Sequence, residues 1–510
     1  MLEYTADRRP TGGIRLPANK IASTAHPIAR GFVPRELVLA LQQHQGSSVI
    51  PVVQRGDRVL KGQVVARADA LRSAAVHAST SGHVRAIEDR LVPSVHAIHR
   101  SRCIVIEPDG EDEALPAENG ETWPTEPAKR LERIRDGGIV GLGGGVFPTA
   151  EKLAPHTAFK ALIINGVECE PYISCDDMLM REAAAQIIDG ALIMRDLLSA
   201  PECIVAIERD KPQAIEAMLE AGRARGDASL KLADIPTVYP TGGERQLVEM
   251  LTGEEVPSTH YPSEIGYICQ NVGTAFALHR LVRAGQPLLS RIVTVTGDGI
   301  ARPQNVDTPI GTPIGELMEF CGGYRGEVDR LILGGSMMGY ALPNDDLPIT
   351  KGSNCIIAAI RNEVRQDFSE RYCIRCGNCG TVCPARLLPQ ELLRAARTDD
   401  HAMLDDLGLT DCIECGCCDV ICPSHIPLTE VFRSAKYAHL RHQRQHVFSA
   451  ETQQRFQRHE ERQRMNARRG KALQDNLKHE VETDEAARQR AIEAAIKRAR
   501  QRRSHDRDPE

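Results

Sequence analysis

Cys373-Ile-Arg-Cys376-Gly-Asn-Cys379-Gly-Thr-Val-Cys383-Pro384 and Cys412-Ile-Glu-Cys415-Gly-Cys-Cys418-Asp-Val-Ile-Cys422-Pro423 are the stretches on which the reading of this chain turns. Each is a Cys-x2-Cys-x2-Cys-x3-Cys-Pro run, the ligand spacing of cubane iron–sulfur clusters. Three cysteines two residues apart wrap one face of a cubane. The fourth, followed by proline, is turned away and reaches the neighbouring cluster. The spacing therefore assigns Cys373, Cys376, Cys379 and Cys422 to one [4Fe–4S] cluster, and Cys412, Cys415, Cys418 and Cys383 to a second. Zinc sites need four ligands in two pairs and do not account for this rhythm occurring twice. Cys417, between ligands, reads as a small non-ligand residue. Cys103, Cys169, Cys175, Cys203, Cys269, Cys321 and Cys355 are scattered and read as buried, inert thiols. Nine of the sixteen cysteines fall within residues 373–422. Clustered in this way, they point to metal ligation rather than disulfides, and so to one-electron transfer in a reducing compartment.

Clusters of this type exchange single electrons, so the question moves upstream to what feeds them. Residues 139–149, IVGLGGGVFPT, follow a short apolar stretch and open a helix-like segment. Gly141, Gly143, Gly144 and Gly145 would let backbone amides approach a phosphate, and a helix start favours negative charge. The run is not G-x-G-x-x-G, so nucleotide binding and a tight structural turn both remain open on these residues alone. Lys152 stands just downstream, as a phosphate partner or an exposed helix lysine. Asn165-Gly166-Val167-Glu168-Cys169-Glu170 follows the short strand Ala161–Ile164, and ligands gather at the carboxyl ends of strands in open α/β sheets. YPTGGE (239–244) and QNVGT (270–274) are further loops of the same character. Each alone is ordinary; together they suggest a site.

The rest of the chain sets limits. Its 510 residues are enough for roughly three or four domains. Hydrophobic content of 42% and charged content of 26% are those of a globular protein with a sizeable core. A net charge of −6 argues against nucleic acid as a partner, as does an aromatic content of 4% with one tryptophan, Trp123. The opening MLEYTADRRPTGG lacks the apolar stretch of a secretory signal, and no run of about 18 apolar residues is present, so neither a leader nor a bilayer-spanning helix is expected. Residues 46–108 read as short strands with turns at Gly56-Asp57, Lys61-Gly62 and Ser81-Gly82. The pattern looks like a lipoyl-type β-sandwich without its acceptor lysine. Residues 111–128 are acidic and proline-containing, a linker or surface loop. Strand and helix then alternate, with helical periodicity over Ala183–Leu198 and Pro212–Ala224. Strands return at 290–345 as a β-grasp-like module. The tail from about residue 451 is charged and almost aromatic-free, a solvated helix or a disordered segment.

In this order the motifs GLGGGVFPT, NGVECEPYI, YPTGGERQL, QNVGTA, a β-grasp segment and two cluster runs resemble the RnfC (RsxC) family of the Rnf electron transport complex. GGIRLPANK near the start and SCDDMLM also fit, and the likeness covers about residues 10–435. The middle also resembles the flavin subunit of respiratory complex I, although that pattern carries acidic residues where this chain has Val167 and Gly273. The resemblance implies FMN phosphate contacts from Gly141, Gly143, Gly144, Gly145 and Lys152, with Asn165 and Asn271 nearby. It implies that Phe147, Glu170 and Glu244 face the nicotinamide nucleotide, with Glu168 between the two. The expected fold class is multidomain, mixed α/β and α+β. An N-terminal segment (1–45) precedes a lipoyl-like barrel-sandwich domain (46–110). A Rossmann-like FMN/NADH domain (129–285), an SLBB-like β-grasp domain (286–350), a helical ferredoxin-type domain with two [4Fe–4S] clusters (360–440) and a charged tail (441–510) follow. The implied function is electron entry into a membrane-bound, ion-translocating complex, linking NADH and ferredoxin through FMN and the clusters. In some bacteria the related complex keeps a redox-sensing regulator reduced. The chain would associate peripherally with the cytoplasmic face of the bacterial inner membrane through the other subunits. Two alternatives are a soluble NADH-dependent iron–sulfur flavoprotein and a flavin-less cluster relay.

Overall fold

The computed structural model describes residues 2–5, 8, 10–70, 72–95, 97–116, 123–154, 158–361 and 369–505. Parts of the acidic linker (117–122), of the cluster-domain approach (362–368) and of the tail (506–510) lie outside the described residues. The chain divides into two units, Met1–Arg433 and Ser434–Glu510.

At the centre of the first unit is a five-stranded parallel sheet, ordered Leu2–Thr5, Leu230–Ile235, Cys203–Glu208, Ala161–Gly166, Tyr267–Asn271. ALIING and CIVAIE are almost wholly buried, as parallel strands covered on both faces require. Helix Cys175–Leu198 starts eight residues before the periodicity at Ala183, and Ala183 itself is kinked at φ −132°, ψ 29°. This helix packs closely on helix Val272–Ala284. Gly190 permits the approach, because a Cβ there would stand 1.9 Å from the Ala275 carbonyl oxygen. Helix Pro212–Arg225 has proline in its first turn and left-handed Gly226 after its end, the usual punctuation of a helix.

The sandwich sheets run Leu37–Ala40, Ile98–Pro108, Gly82–Pro93, Arg58–Val59 and Ile50–Pro51, Val64–Arg67, Val76–His77. Leu37–Ala40, and Leu2–Thr5 in the central sheet, come from the stretch read as a separate N-terminal segment. Each is a four-residue strand whose pairing partner is far along the chain, so no local pattern marks it. One buried apolar cluster runs unbroken from Leu39, Val65 and Ile104 of the sandwich to Leu162, Ile164 and Leu179 of the α/β domain.

The β-grasp sheet has the order Gln304–Pro309, Ser290–Thr296, Cys355–Ile360, Val328–Leu333, Tyr340–Leu342, with helix Ile314–Phe320. Its central strand CIIAAI lies past residue 350, where the module was expected to stop, and runs parallel to the first strand. The cluster domain is short helices and loops. The tail belongs to one helix, Leu428–His505, whose side chains beyond residue 446 are nearly all exposed. No helix among the described residues is long and apolar enough to cross a membrane.

Candidate functional site

Asn165 and Asn271 stand side by side at the carboxyl ends of neighbouring parallel strands, paired in register. Asn271 caps helix Val272–Ala284: its Oδ1 accepts from the Gly273 amide at 2.8 Å, and its Nδ2 donates to Asp176 Oδ2 at 2.6 Å. Asn165 Oδ1 accepts from the Val167 amide at 3.1 Å, and its Nδ2 donates to the Gly242 carbonyl at 2.9 Å. Both asparagines therefore brace the loops around the strand ends.

The glycine loop lies on this edge. It is closed at its neck, where Val140 bridges Pro148 and the Gly141 amide donates to the Phe147 carbonyl at 2.8 Å. Gly143 packs on Asn271, leaving 3.2 Å between a Cβ placed there and Asn271 Cβ. Gly144 holds φ +103°, a conformation L side chains rarely adopt. At Gly144 and Gly145 a Cβ would meet nothing within 4 Å, so bare backbone faces open space. The loop is braced by three distant residues. Thr274 Oγ1 accepts from the Leu142 amide at 2.9 Å, buried Arg291 donates to the Leu142 carbonyl at 3.2 Å, and Gln45 donates to the Gly145 carbonyl at 3.0 Å. Lys152, ending the short helix Thr149–Lys152, forms an ion pair with Glu244 at the start of helix Glu244–Thr252. Phe147 is half-buried under the guanidinium of Arg72, 5.4 Å from its ring centroid, and Arg72 also grips Glu151. Gln45, Arg72 and Arg291 were invisible to sequence reasoning because they come from other domains and carry no local motif.

Glu168 lies beneath this site. Its carboxylate accepts from the amides of Asp176 at 2.7 Å and Asp177 at 3.3 Å and lies 3.7 Å from Lys20 Nζ. Burial holds its pKa above the ordinary carboxylate range, with Lys20 opposing and Asp176 reinforcing. Glu168, Cys175 and Asp176 bring ligand atoms within 4.8 Å of one another, but amides and Asn271 already engage both acids. Glu170, expected at the nucleotide, accepts from the amides of Met337 at 2.6 Å and Met338 at 3.1 Å, between two β-grasp strands. Burial raises its pKa, and those amides pull it back. A separate cavity of about 490 Å³, lined by Leu142, Phe276, Arg280 and Arg291 among others, includes only Asp176, Leu142 and Gly273 from the surroundings of the loop.

The two cysteine runs fold alike. Arg375 and Glu414, second after the first cysteine of each run, both have φ +55°; Gly377 and Gly416 follow at +81° and +76°. Arg386 and His425, three residues after each fourth cysteine, sit at +54° and +53°. Between them the runs enclose two cavities of about 380 and 370 Å³. Cys373, Cys376, Cys379 and Cys422 line the first. Cys383, Cys412, Cys415 and Cys418 line the second, together with Cys417. The donor sets are thus crossed between the runs, four thiols to a cavity, and they fit a cubane cluster in each. The open glycine backbone beside Lys152 likewise fits a phosphate. The seven scattered cysteines are buried or half-buried, as expected of inert thiols.

Comparison with known proteins agrees with this layout. Residues 134–280 match the model of the Nuo51 FMN-binding domain, residues 9–111 the RnfC barrel sandwich hybrid domain, and residues 292–341 the SLBB domain. The sandwich match begins well before residue 46. The RnfC-type component of the ion-translocating oxidoreductase complex of Pseudomonas aeruginosa is 45% identical over 90% of this chain and 59% of its own length. Its counterpart in Vibrio cholerae is 42% identical over 78% of this chain and 52% of its own. A chain in the crystal structure of an NAD+-reducing [NiFe]-hydrogenase is similar over 62% of either chain at 19% identity, with a TM-score of 0.43. The chain thus spans between about half and three fifths of the length of the first two relatives. With the Rhodobacter capsulatus protein the identity is 43% over 75% of this chain and 73% of that one, and the chain belongs to the RnfC family of ion-translocating oxidoreductase complexes.

Proposed function

We propose that this chain is the electron-entry subunit of such a complex, holding FMN and two [4Fe–4S] clusters and exchanging electrons between NADH and its partner subunits, with ferredoxin beyond them. It sits peripherally on the cytoplasmic face of the inner membrane, held by those subunits. What carries the reading is the pairing of two crossed four-cysteine cavities with an open glycine loop in one chain. When bound, a flavin exchanges electrons in pairs with nicotinamide and singly with iron–sulfur clusters, and that is the chemistry this pairing needs.

The residues divide the work. The amides around Gly143, Gly144 and Gly145, with Lys152, hold the FMN phosphate. Asn165 and Asn271 fix the loops that border it. Phe147 and Glu244 present to the nicotinamide nucleotide, which displaces the Lys152–Glu244 pair in part. Glu168 keeps the floor rigid through the Asp176 and Asp177 amides. Glu170 fixes the wall toward the β-grasp loop. Cys373, Cys376, Cys379 and Cys422 hold one cluster; Cys383, Cys412, Cys415 and Cys418 hold the other.

An anaerobic preparation tests this by iron, sulfide and flavin assay, followed by NADH titration with EPR. Eight irons, one FMN and NADH-dependent bleaching of the clusters are expected. Zinc in place of iron, or clusters that NADH leaves oxidised, would overturn the assignment. In cells the chain should pellet with membranes and wash off with salt or chelator; a wholly unsedimented chain removes the membrane partners from the reading.

A further inference from the structure

Tyr239 sits where the nucleotide-binding domain touches the cluster domain and is 3% exposed. Its hydroxyl donates to the Cys415 carbonyl at 2.8 Å, and its own carbonyl lies 3.9 Å from Cys417 Sγ. Its backbone pairs with Ile14 in both directions, at 2.8 and 2.9 Å. Next to Ile14, the Gly13 amide donates to the Val382 carbonyl at 2.9 Å, and a Cβ on Gly12 would stand 2.6 Å from the Cys383 backbone. Met337 lies 3.4 Å from a Cβ placed on Gly416. All these contacts fall on the surroundings of the cavity of Cys383, Cys412, Cys415 and Cys418. The other cavity is lined only from residues 373–428; Cys373 and Cys376 are exposed, beside Tyr372 and Ile374 at 91% and 67% exposure.

The same short segment also reaches the nucleotide site. Gly242 accepts from Asn165, and Glu244 pairs with Lys152. The five residue steps from Tyr239 to Glu244 span at most roughly 18 Å when fully extended. Turns, with the Thr241 amide on the Val238 carbonyl and the Gly243 amide on the Pro240 carbonyl, make the real separation shorter.

Resting on the two-cluster reading above, we propose that the Cys383, Cys412, Cys415 and Cys418 set is the inner station and the Cys373, Cys376, Cys379 and Cys422 set the outer one, with Tyr239 the positioning residue that joins the inner station to the nucleotide site. The hydroxyl fixes the Cys415 peptide and draws electron density from the backbone beside a ligand thiolate. Hydrogen bonding of this kind favours the more negative, reduced state of a cluster and raises its potential. Electrons enter through the inner set and leave by the exposed one, or run the reverse route.

The test uses the full chain, reconstituted anaerobically and titrated potentiometrically with EPR detection. Cys415→Ser and Cys376→Ser identify the inner and outer signals by abolishing each. Tyr239→Phe should shift the inner midpoint to more negative potential and leave the outer midpoint, the iron content and the flavin content unchanged. Fluorotyrosine in place of Tyr239, a stronger donor of the same shape, should shift the inner signal the opposite way, which a purely structural role would not produce. Eight irons with an unmoved inner signal, or a shift confined to the outer one, overturns the role of Tyr239. Fewer than eight irons in the unaltered chain overturns the cluster assignment, and the proposal falls with it.

Discussion

Arg375 and Glu414 adopt a left-handed backbone that costs a non-glycine residue roughly 1 kcal/mol or more. Two unrelated side chains accept that cost at matching positions, so the demand comes from the backbone around each cavity. Crossed ligation follows from the same geometry and has a sharp consequence. Cys376→Ala and Cys422→Ala, though in different runs, should each lose about half of the iron and sulfide and the same EPR signal. Loss of different signals would reject the crossed sets. Lys152 is the other residue on which much rests. A charge-assisted contact to phosphate contributes about 1.5–3 kcal/mol, so Lys152→Ala should weaken FMN retention roughly 10- to 100-fold. The variant also frees Glu244 from its ion pair, adding repulsion. Flavin fluorescence during dialysis measures this, and full occupancy would take Lys152 out of the site.

At the scale of elements, the glycine loop separates two uses of glycine. Gly144 needs its freedom for a positive φ. Gly145 does not, yet a Cβ there faces open space. Gly145→Ala should therefore leave stability unchanged or raised by about 0.4–1 kcal/mol, read as a melting temperature, while flavin retention drops. Intact retention would mean the loop is a structural turn and not a phosphate cradle. The tail helix makes the opposite case. Ion pairs at i,i+4, such as Glu451–Arg455 and Glu460–Arg464, support it locally, each contributing about 0.2–0.5 kcal/mol. Its nearly complete exposure beyond residue 446 predicts that truncation after residue 445 leaves thermal stability, iron and flavin content unchanged. A large drop in melting temperature would show that the tail is part of the fold.

For the whole molecule, Lys351 marks the place where three domains meet. It is 1% exposed, and Nζ donates to the carbonyls of Ala75 in the sandwich and Gly138 in the α/β domain, at 2.7 and 2.8 Å. Two donors are what a neutral amine has. Burial pushes its pKa down to about 7. His44 and His77 are pushed down to about 4 and about 3, by burial first and then by Lys351. The folded state holds all three neutral. Their contribution to stability is therefore present at high pH and lost as pH falls, from 10.5 to about 7 for Lys351 and from 6.5 toward 4 and 3 for the histidines. His44 alone accounts for about 3 kcal/mol of acid destabilisation. Denaturant midpoints measured from pH 4 to 9 should rise with pH, and His44→Gln should flatten the acid limb. A pH-independent midpoint below 6.5 would contradict the neutral histidines.

Much of this was readable in the one-dimensional chain, because its chemistry is local. Three ligands of a cubane fall within seven residues, so their spacing alone marks each cysteine run. Glycines that bare a loop backbone, and apolar runs such as ALIING and CIVAIE that must be covered on both faces, are likewise written in neighbouring positions. Tertiary structure decided what lies opposite what. The pairing of Asn165 with Asn271, Lys152 with Glu244 and Tyr239 with Cys415, the bracing of the loop by Gln45 and Arg291, and the turn of Glu170 toward Met337 depend on strand register and domain packing. Those are fixed by apolar burial summed over residues far apart in the chain, and no short stretch of sequence carries that sum.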